Sequence, residues 1–151
     1  MVMSFKVGDI MTRDVVTVSL GRTVQETVEI MNEKEIGCVV VVKDNIPVGI
    51  VTERDILKKI VVEGKDPKKT KIEEIMSSPL ITGTSDMTLE DAAKLLVLKR
   101  IKKLPIVEKG KLIGIITLFD IVRWEPLAID ILKKALAAEK LPPHMKKFLK
   151  E

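Results

Sequence analysis

The chain is predicted to be an α/β protein of the α+β kind: two β-α-β-β-α repeats packed as one pseudo-two-fold module, with a C-terminal helix appended. Three observations predict this. A string of Gly, two apolar residues, Thr, two variable residues, Asp and Ile occurs as Gly49-Ile50-Val51-Thr52 with Asp55-Ile56, and again 65 residues later as Gly114-Ile115-Ile116-Thr117 with Asp120-Ile121. The same offset pairs Ile10-Met11 with Ile75-Met76, Thr17 with Thr82, Thr23 with Thr88 and Ile36 with Ile101. Register held over such a span marks one supersecondary unit used twice. Within each copy, β-branched runs and helical spacing follow one another in the same order.

In the first copy, Val15 to Val18 is a short β-branched strand. Thr23 then opens a helix with Glu26 three residues on, a capping-box pattern, and Val24, Thr27, Val28 and Met31 share one helical face. Cys38 to Val42 is continuously apolar, as in a strand buried on both faces. Lys43-Asp44-Asn45 supplies turn chemistry before a second strand, Val48 to Val51, and a helix is expected from Glu53 to about Val62. The second copy predicts a strand at Leu80 to Thr82, then a helix capped by Thr88 with Asp91 and carrying Leu89, Ala92, Ala93 and Leu96 on its apolar stripe. Strands at Leu104 to Val107 and Leu112 to Ile116 follow, joined through Lys109-Gly110-Lys111, and the closing helix begins after Thr117.

The repeats are thus expected over residues 7–62 and 72–124, separated by a solvated linker over 63–71 and followed by a helix and basic tail over 125–151. Leu127, Ile131, Leu132 and Ala135 are spaced for one face of that helix, and Pro142-Pro143 stops it. A domain of this size hides roughly 70% of the surface its unfolded chain would expose. Each repeat alone is small and apolar, so a single two-repeat body is expected.

Composition narrows the function. No apolar run approaches the length needed to cross a bilayer, and the N-terminus has no signal-peptide pattern, so a soluble, cytoplasmic protein is expected. The net charge is +4, yet residues 133–151 hold six lysines against two glutamates, which leaves the rest of the chain neutral. The body is therefore not a general anion-binding surface. Aromatic residues make up 3% of the chain and tyrosine is absent, a poor supply for base stacking. The single cysteine, Cys38, lies in an apolar run and reads as a small buried side chain. Met11, Met31 and Met76 read as core filler, His144 as a solvated tail residue and Trp124 as an anchor for the C-terminal helix.

The recurrent string carries the chemistry. Where a strand turns into a helix, free N–H groups and the helix dipole favour an anion such as phosphate. Thr52 adds a hydroxyl, while Asp55 offers acceptor oxygens that suit the vicinal hydroxyls of a ribose. Gly49 lets another backbone or a flat ligand approach the strand closely. The same Thr-x-x-Asp spacing is also an ordinary helix cap, and each copy alone fits both readings. Arg54 likewise fits a solvated side chain or a phosphate contact.

Taken in order, Gly8-Asp9-Ile10-Met11-Thr12, Ile36-Gly37-Cys38-Val39-Val40-Val41, Ile101-Lys102-Lys103-Leu104-Pro105-Ile106-Val107 and the two recurrent strings resemble a tandem pair of cystathionine-β-synthase (CBS) domains, the Bateman module, over roughly Val7 to Trp124. The resemblance implies a sensor of adenosine ligands, AMP, ADP, ATP or S-adenosylmethionine, with two crossed clefts. It assigns Thr52, Arg54 and Asp55 of repeat one, with Leu80, Ile81, Ile101, Lys103 and Pro105, to the first. The second takes Thr117 and Asp120, with Val15, Val16, Ile36, Gly37 and Cys38. In this picture the aspartates hold ribose, and Thr52, Arg54 and Lys103 face phosphates. Phe119 and Cys38 stand at the positions matching Arg54 and Lys103. Charge-assisted phosphate contacts are lost there, so the clefts are expected to be unequal, with the nucleotide at Asp55 and a weak, empty or less anionic site at Asp120.

The family resemblance also implies a homodimer formed through helices and an effector protein that reads the ligand state. No catalytic or metal-binding residue is assigned, because Asp55 and Asp120 lack an evident nucleophile or metal partner; the protein is not expected to be an enzyme. Two rivals stand beside this reading: a nucleic-acid-associated regulator using the basic tail from Lys133 to Lys150, and a structural partner subunit whose clefts have degenerated.

Overall fold

Helix α1 (Val7–Ile10) precedes strand β1 (Thr17–Ser19), helix α2 (Val24–Lys34) and the hairpin of β2 (Cys38–Lys43) with β3 (Ile46–Thr52). Helix α3 (Glu53–Ile56) runs on into a wider π turn over Leu57–Val61, close to the single helix expected there. A 3-10 turn at Ile72–Glu74 leads to α4 (Leu89–Leu98), β4 (Lys103–Glu108), β5 (Lys111–Thr117) and α5 (Leu118–Trp124). These elements come from a computed structural model that describes residues 5–125 together with 130, 133, 134 and 137. The helix expected over 125–138 lies mostly outside the described residues, although Asp130, Lys133, Lys134 and Ala137 are helical; the tail beyond it lies outside them entirely.

Local chemistry explains the elements. Thr23 Oγ1 accepts the Glu26 N–H at 3.1 Å, and Thr88 Oγ1 accepts that of Asp91 at 3.0 Å, so each long helix starts at its predicted cap. Both helices are followed by an L-residue in the left-handed conformation, Glu35 (φ 53°) and Arg100 (φ 55°). The next N–H then closes a bond to the carbonyl five residues back, Ile36 to Met31 and Ile101 to Leu96, each 3.0 Å. The hairpin turns also repeat: Asp44 and Asn45 have positive φ, as do Lys109 and Gly110. Two consecutive positive φ values match the twist of a tight antiparallel hairpin.

Strand β2 lies between a parallel β1 and an antiparallel β3, with Val18 opposite Val41 and Cys38 opposite Thr52. Residues Cys38 to Val42 are all buried, as their unbroken apolar run predicts.

The second sheet has only β4 and β5, so the strand expected at Leu80 to Thr82 is absent. A single parallel bridge, Gly83 to Ile106, takes its place. It is the counterpart, 65 residues on, of the Val18–Val41 pair. A Cβ at position 83 would stand 2.8 Å from Met87 Sδ and 2.9 Å from Leu104 Cδ2. Glycine leaves room there for the ends of those side chains and contributes no side chain of its own to a strand.

The compact units do not follow the sequence repeats. Among the described residues, one comprises those up to 13, 82–107 and those from 114 onward; the other comprises 14–81 and 108–113. The leading segment of each repeat is exchanged: Thr12 forms a mutual bridge with Ile115, and Ser77 forms the equivalent bridge with Ile50. The unit holding β1, β2 and β3 has a core of Val18, Val24, Met31, Val39, Val41, Val51 and Ile60, which Ile72 and Ile75 join from the exchanged segment. In the other unit Val7 is buried along with Leu89, Ala92, Ala93, Leu96, Leu104, Ile116 and Ile121. Burial of this kind contributes roughly 25 cal/mol per Å² of apolar surface, which makes the borrowed Ile72, Ile75 and Val7 part of what holds each unit.

The linker is more than a solvated tether. Pro67 and Thr70 carbonyls accept the Gln25 and Val24 N–H groups, each at 2.9 Å. Those are among the first-turn donors of α2 that no intrahelical carbonyl reaches. In the other unit the Met87 and Ser85 carbonyls serve Val7 and Gly8 of α1 in the same way. Trp124 meets Phe5 edge-to-face at 5.9 Å, with Arg123 near its ring, so in the described residues it anchors the start of the chain. No helix among the described residues is long and apolar enough to cross a membrane.

Candidate functional site

The two recurrent strings fold as reciprocal caps. At the end of β3 the Thr52 N–H donates to Asp55 Oδ2 at 2.9 Å, and the Asp55 N–H donates to Thr52 Oγ1 at 3.3 Å. The Thr52 hydroxyl also reaches Asp55 Oδ2, at 3.2 Å. At the end of β5 the Thr117 N–H donates to Asp120 Oδ2 at 3.0 Å, and the Asp120 N–H donates to Thr117 Oγ1 at 3.1 Å. Capping satisfies one carboxylate oxygen in each case.

What faces the other oxygen of Asp55 is particular to the first repeat. Ser77 Oγ lies 3.4 Å from Asp55 Oδ1, and Lys59 Nζ lies 3.8 Å from the same atom. Lys59 donates its short bond, 2.8 Å, to the Ile75 carbonyl. Neither Ser77 nor Lys59 is in the predicted set, and only the spacing of Lys59 four residues after Asp55 on a helix signals the pair. Among the described residues no ion pair forms at Asp120, and Trp124 stands where the repeat would put a second lysine.

The predicted residues divide between the units. Thr52, Arg54, Asp55, Leu80 and Ile81 share one unit with Val15, Val16, Ile36, Gly37 and Cys38, whereas Ile101, Lys103, Pro105, Thr117 and Asp120 belong to the other. Arg54 is exposed; Leu80, Ile81, Ile101 and Lys103 are half-buried, and Cys38 and Pro105 are buried. Phe119, the counterpart of Arg54, is 76% exposed. The Glu53 N–H donates to the Gly37 carbonyl at 3.0 Å, and a Cβ on Gly37 would meet the Glu53 carboxylate. Gly49 admits another backbone, as its place in the string implies: Met76 and the Ser77 carbonyl lie over it. Met11 lies over Gly114 in the same manner, so both methionines act as packing.

A groove of about 510 Å³ runs between α2 and α3, lined by Val28, Met31, Ile36, Ile56 and Leu57 with Glu35 and Glu53. It includes Ile36 and Gly37 but neither Thr52 nor Asp55. Among the described residues no group of three or more His, Cys, Asp or Glu is placed to hold a metal ion.

Comparison with known proteins agrees with the duplicated geometry. The family model for the CBS domain matches twice, over residues 7–62 and 72–126. The chain belongs to the CBS domain family. This CBS pair is 42% identical over 150 residues to an uncharacterized protein of Methanopyrus kandleri, covering 98% of the chain and 72% of that relative. It is 38% identical over 115 residues to a CBS domain-containing protein of Bacillus subtilis, covering 76% of the chain and 81% of the relative. A crystal structure of a conserved CBS domain protein from Thermoplasma acidophilum superimposes with a TM-score of 0.77 at 30% identity, covering 94% of this chain and 83% of that one.

Proposed function

We propose that this CBS pair is a non-catalytic regulatory module that binds an adenosine ligand, AMP, ADP, ATP or S-adenosylmethionine, and shifts the conformation presented to a partner. The observation that carries the reading is the Asp55 carboxylate: one oxygen is committed to the cap, and the other stands beside Ser77, near the end of the chain segment leading to Leu80 and Ile81. An acceptor in that position suits a vicinal diol. Thr52, Arg54 and Asp55 with Leu80 and Ile81 form the proposed first site, to which the family resemblance adds Ile101, Lys103 and Pro105. For the second site the family resemblance assigns Thr117 and Asp120, with Val15, Val16, Ile36, Gly37 and Cys38, and there Phe119 and Cys38 supply no cation for phosphate. A ligand that favours one conformer moves the equilibrium by no more than its difference in affinity for the two states. A homodimer in the cytoplasm, read by an effector protein, completes the proposal.

Isothermal titration of the full chain with each of the four ligands tests it, alongside identification of any small molecule released on denaturing the purified protein. Millimolar ligand without heat release and without a rise in melting temperature sinks the reading and favours a structural subunit with degenerate sites.

The basic tail supports a second reading, nucleic-acid association, because the whole charge excess lies in residues 133–151. Binding to duplex and single-stranded DNA at two salt concentrations distinguishes it: a steep salt dependence abolished by deleting residues 140–151 favours this alternative.

A further inference from the structure

We propose that Lys59 is a positioning residue for ribose recognition by Asp55, an inference that rests on the adenosine-binding reading above. An ionised carboxylate has about four acceptor sites on its two oxygens. In Asp55, Oδ2 already accepts from the Thr52 N–H and hydroxyl, whereas Oδ1 accepts only a long bond, 3.4 Å, from the Ser77 hydroxyl and keeps acceptor capacity for a diol. Lys59 Nζ stands 3.8 Å from Oδ1, beyond the range of about 2.7 to 3.2 Å for an N–H···O bond. The ammonium is anchored instead by the Ile75 carbonyl, at 2.8 Å. Lys59 therefore attracts the carboxylate and holds its direction without occupying the acceptor that a hydroxyl needs.

The pair is well placed for this. The Asp55 side chain is 14% exposed and that of Lys59 30%, so the interaction is only partly screened by water. The anchor also ties two elements together. Ile75 is fully buried, and two residues on, Ser77 exchanges backbone bonds of 2.8 and 3.2 Å with Ile50. Lys59 thus fastens the helix that carries Asp55 to the segment that continues into Leu80 and Ile81. It lies in the π turn after α3, a widened turn of the kind that recurs at functional sites. Trp124 occupies the matching place after Asp120 and provides no ammonium, so among the described residues the device stands at Asp55 alone.

The test compares AMP with 2′-deoxy-AMP by titration calorimetry, using the full chain in an Asp120→Ala background so that the Asp55 site reports alone. The parent should prefer AMP. Lys59→Met should reduce that preference about fivefold, the scale of one partly exposed ion pair, while Lys59→Arg should retain most of it. Melting temperatures check folding, and Lys59→Gln, which keeps a donor for Ile75 without the charge, provides the same comparison if the Met variant does not fold. An unchanged AMP to 2′-deoxy-AMP ratio, with both ligands weakened alike, overturns the proposal and shows Lys59 to be structural. A parent that does not distinguish the two nucleotides also overturns it. A parent that binds neither sinks the adenosine reading itself, whereas loss of binding in Asp55→Ala with an unchanged ratio in Lys59→Met sinks only the role of Lys59.

Discussion

Met76 lies directly over Gly49: a Cβ on that glycine would stand 2.5 Å from Met76 Sδ and 3.1 Å from the Ser77 carbonyl. The methionine side chain is flexible, but the backbone carbonyl is held by the paired Ile50–Ser77 bonds. Gly49→Val should therefore lower stability by about 1 to 3 kcal/mol through overpacking, read as a reduced urea midpoint. Gly37→Ala is the control. Its added methyl meets the end of the flexible Glu53 side chain, so its loss should be much smaller.

Asp55 and Asp120 make the same reciprocal backbone cap, but Asp55 also faces Ser77 and Lys59, so its removal should cost at least as much stability as that of Asp120. Asp55→Ala and Asp120→Ala are each expected to lose about 1 kcal/mol, measured by denaturant unfolding. Ligand titration should separate them, with ATP and AMP binding falling more in Asp55→Ala. Equal losses of nucleotide binding from both variants would remove the proposed inequality of the sites.

The hydrogen bond from Arg22 to Glu26, 2.9 Å long, holds the Glu26 carboxyl below its ordinary value. A lowered folded-state pKa contributes stability above the unfolded value, and the contribution is lost as pH falls through the folded value. The pair is solvent-exposed, so the effect should be small. Between about pH 6 and pH 3 the native protein should lose slightly more stability than an Arg22→Ala variant. A carboxyl NMR titration in which the Arg22→Ala substitution leaves Glu26 unmoved would refute the assignment.

Leu57 and Val61 lie one helical turn apart and remain 59% and 65% exposed. If the proposed homodimer uses this face, charge there should dissociate it, because burying an unpaired charge in an apolar interface is costly. Leu57→Glu with Val61→Glu, which places like charges on both positions, should halve the mass seen by light scattering while leaving the circular dichroism unchanged. A native mass that is already monomeric, or a dimer indifferent to both changes, excludes this interface.

Features that depend on neighbours in sequence were legible. Thr23, Thr88, Thr52 and Thr117 cap the helices that their spacing predicts, and Asp44-Asn45 and Lys109-Gly110 make the tight turns. The strand expected at Leu80 to Thr82 is reduced to one bridge at Gly83, because strand pairing is set by a partner distant in sequence, here Ile106, which the local pattern does not show. Lys59 has no clear mark in the sequence for a related reason. Its short bond goes to Ile75, sixteen residues away, and no periodicity announces a side chain's reach to a distant carbonyl.

By itself the amino-acid sequence determined the duplicated plan, the caps, the turns and the paired aspartates, because each arises from contacts within about one helical turn or one hairpin. Tertiary structure alone decided that the leading segments change places, Thr12 bridging Ile115 and Ser77 bridging Ile50, and that Lys59 faces only one of the two aspartates. Those outcomes depend on which apolar surfaces meet. The repeats are alike in the residues that shape each element but differ, as Lys59 and Trp124 do, in the side chains presented once the elements pack.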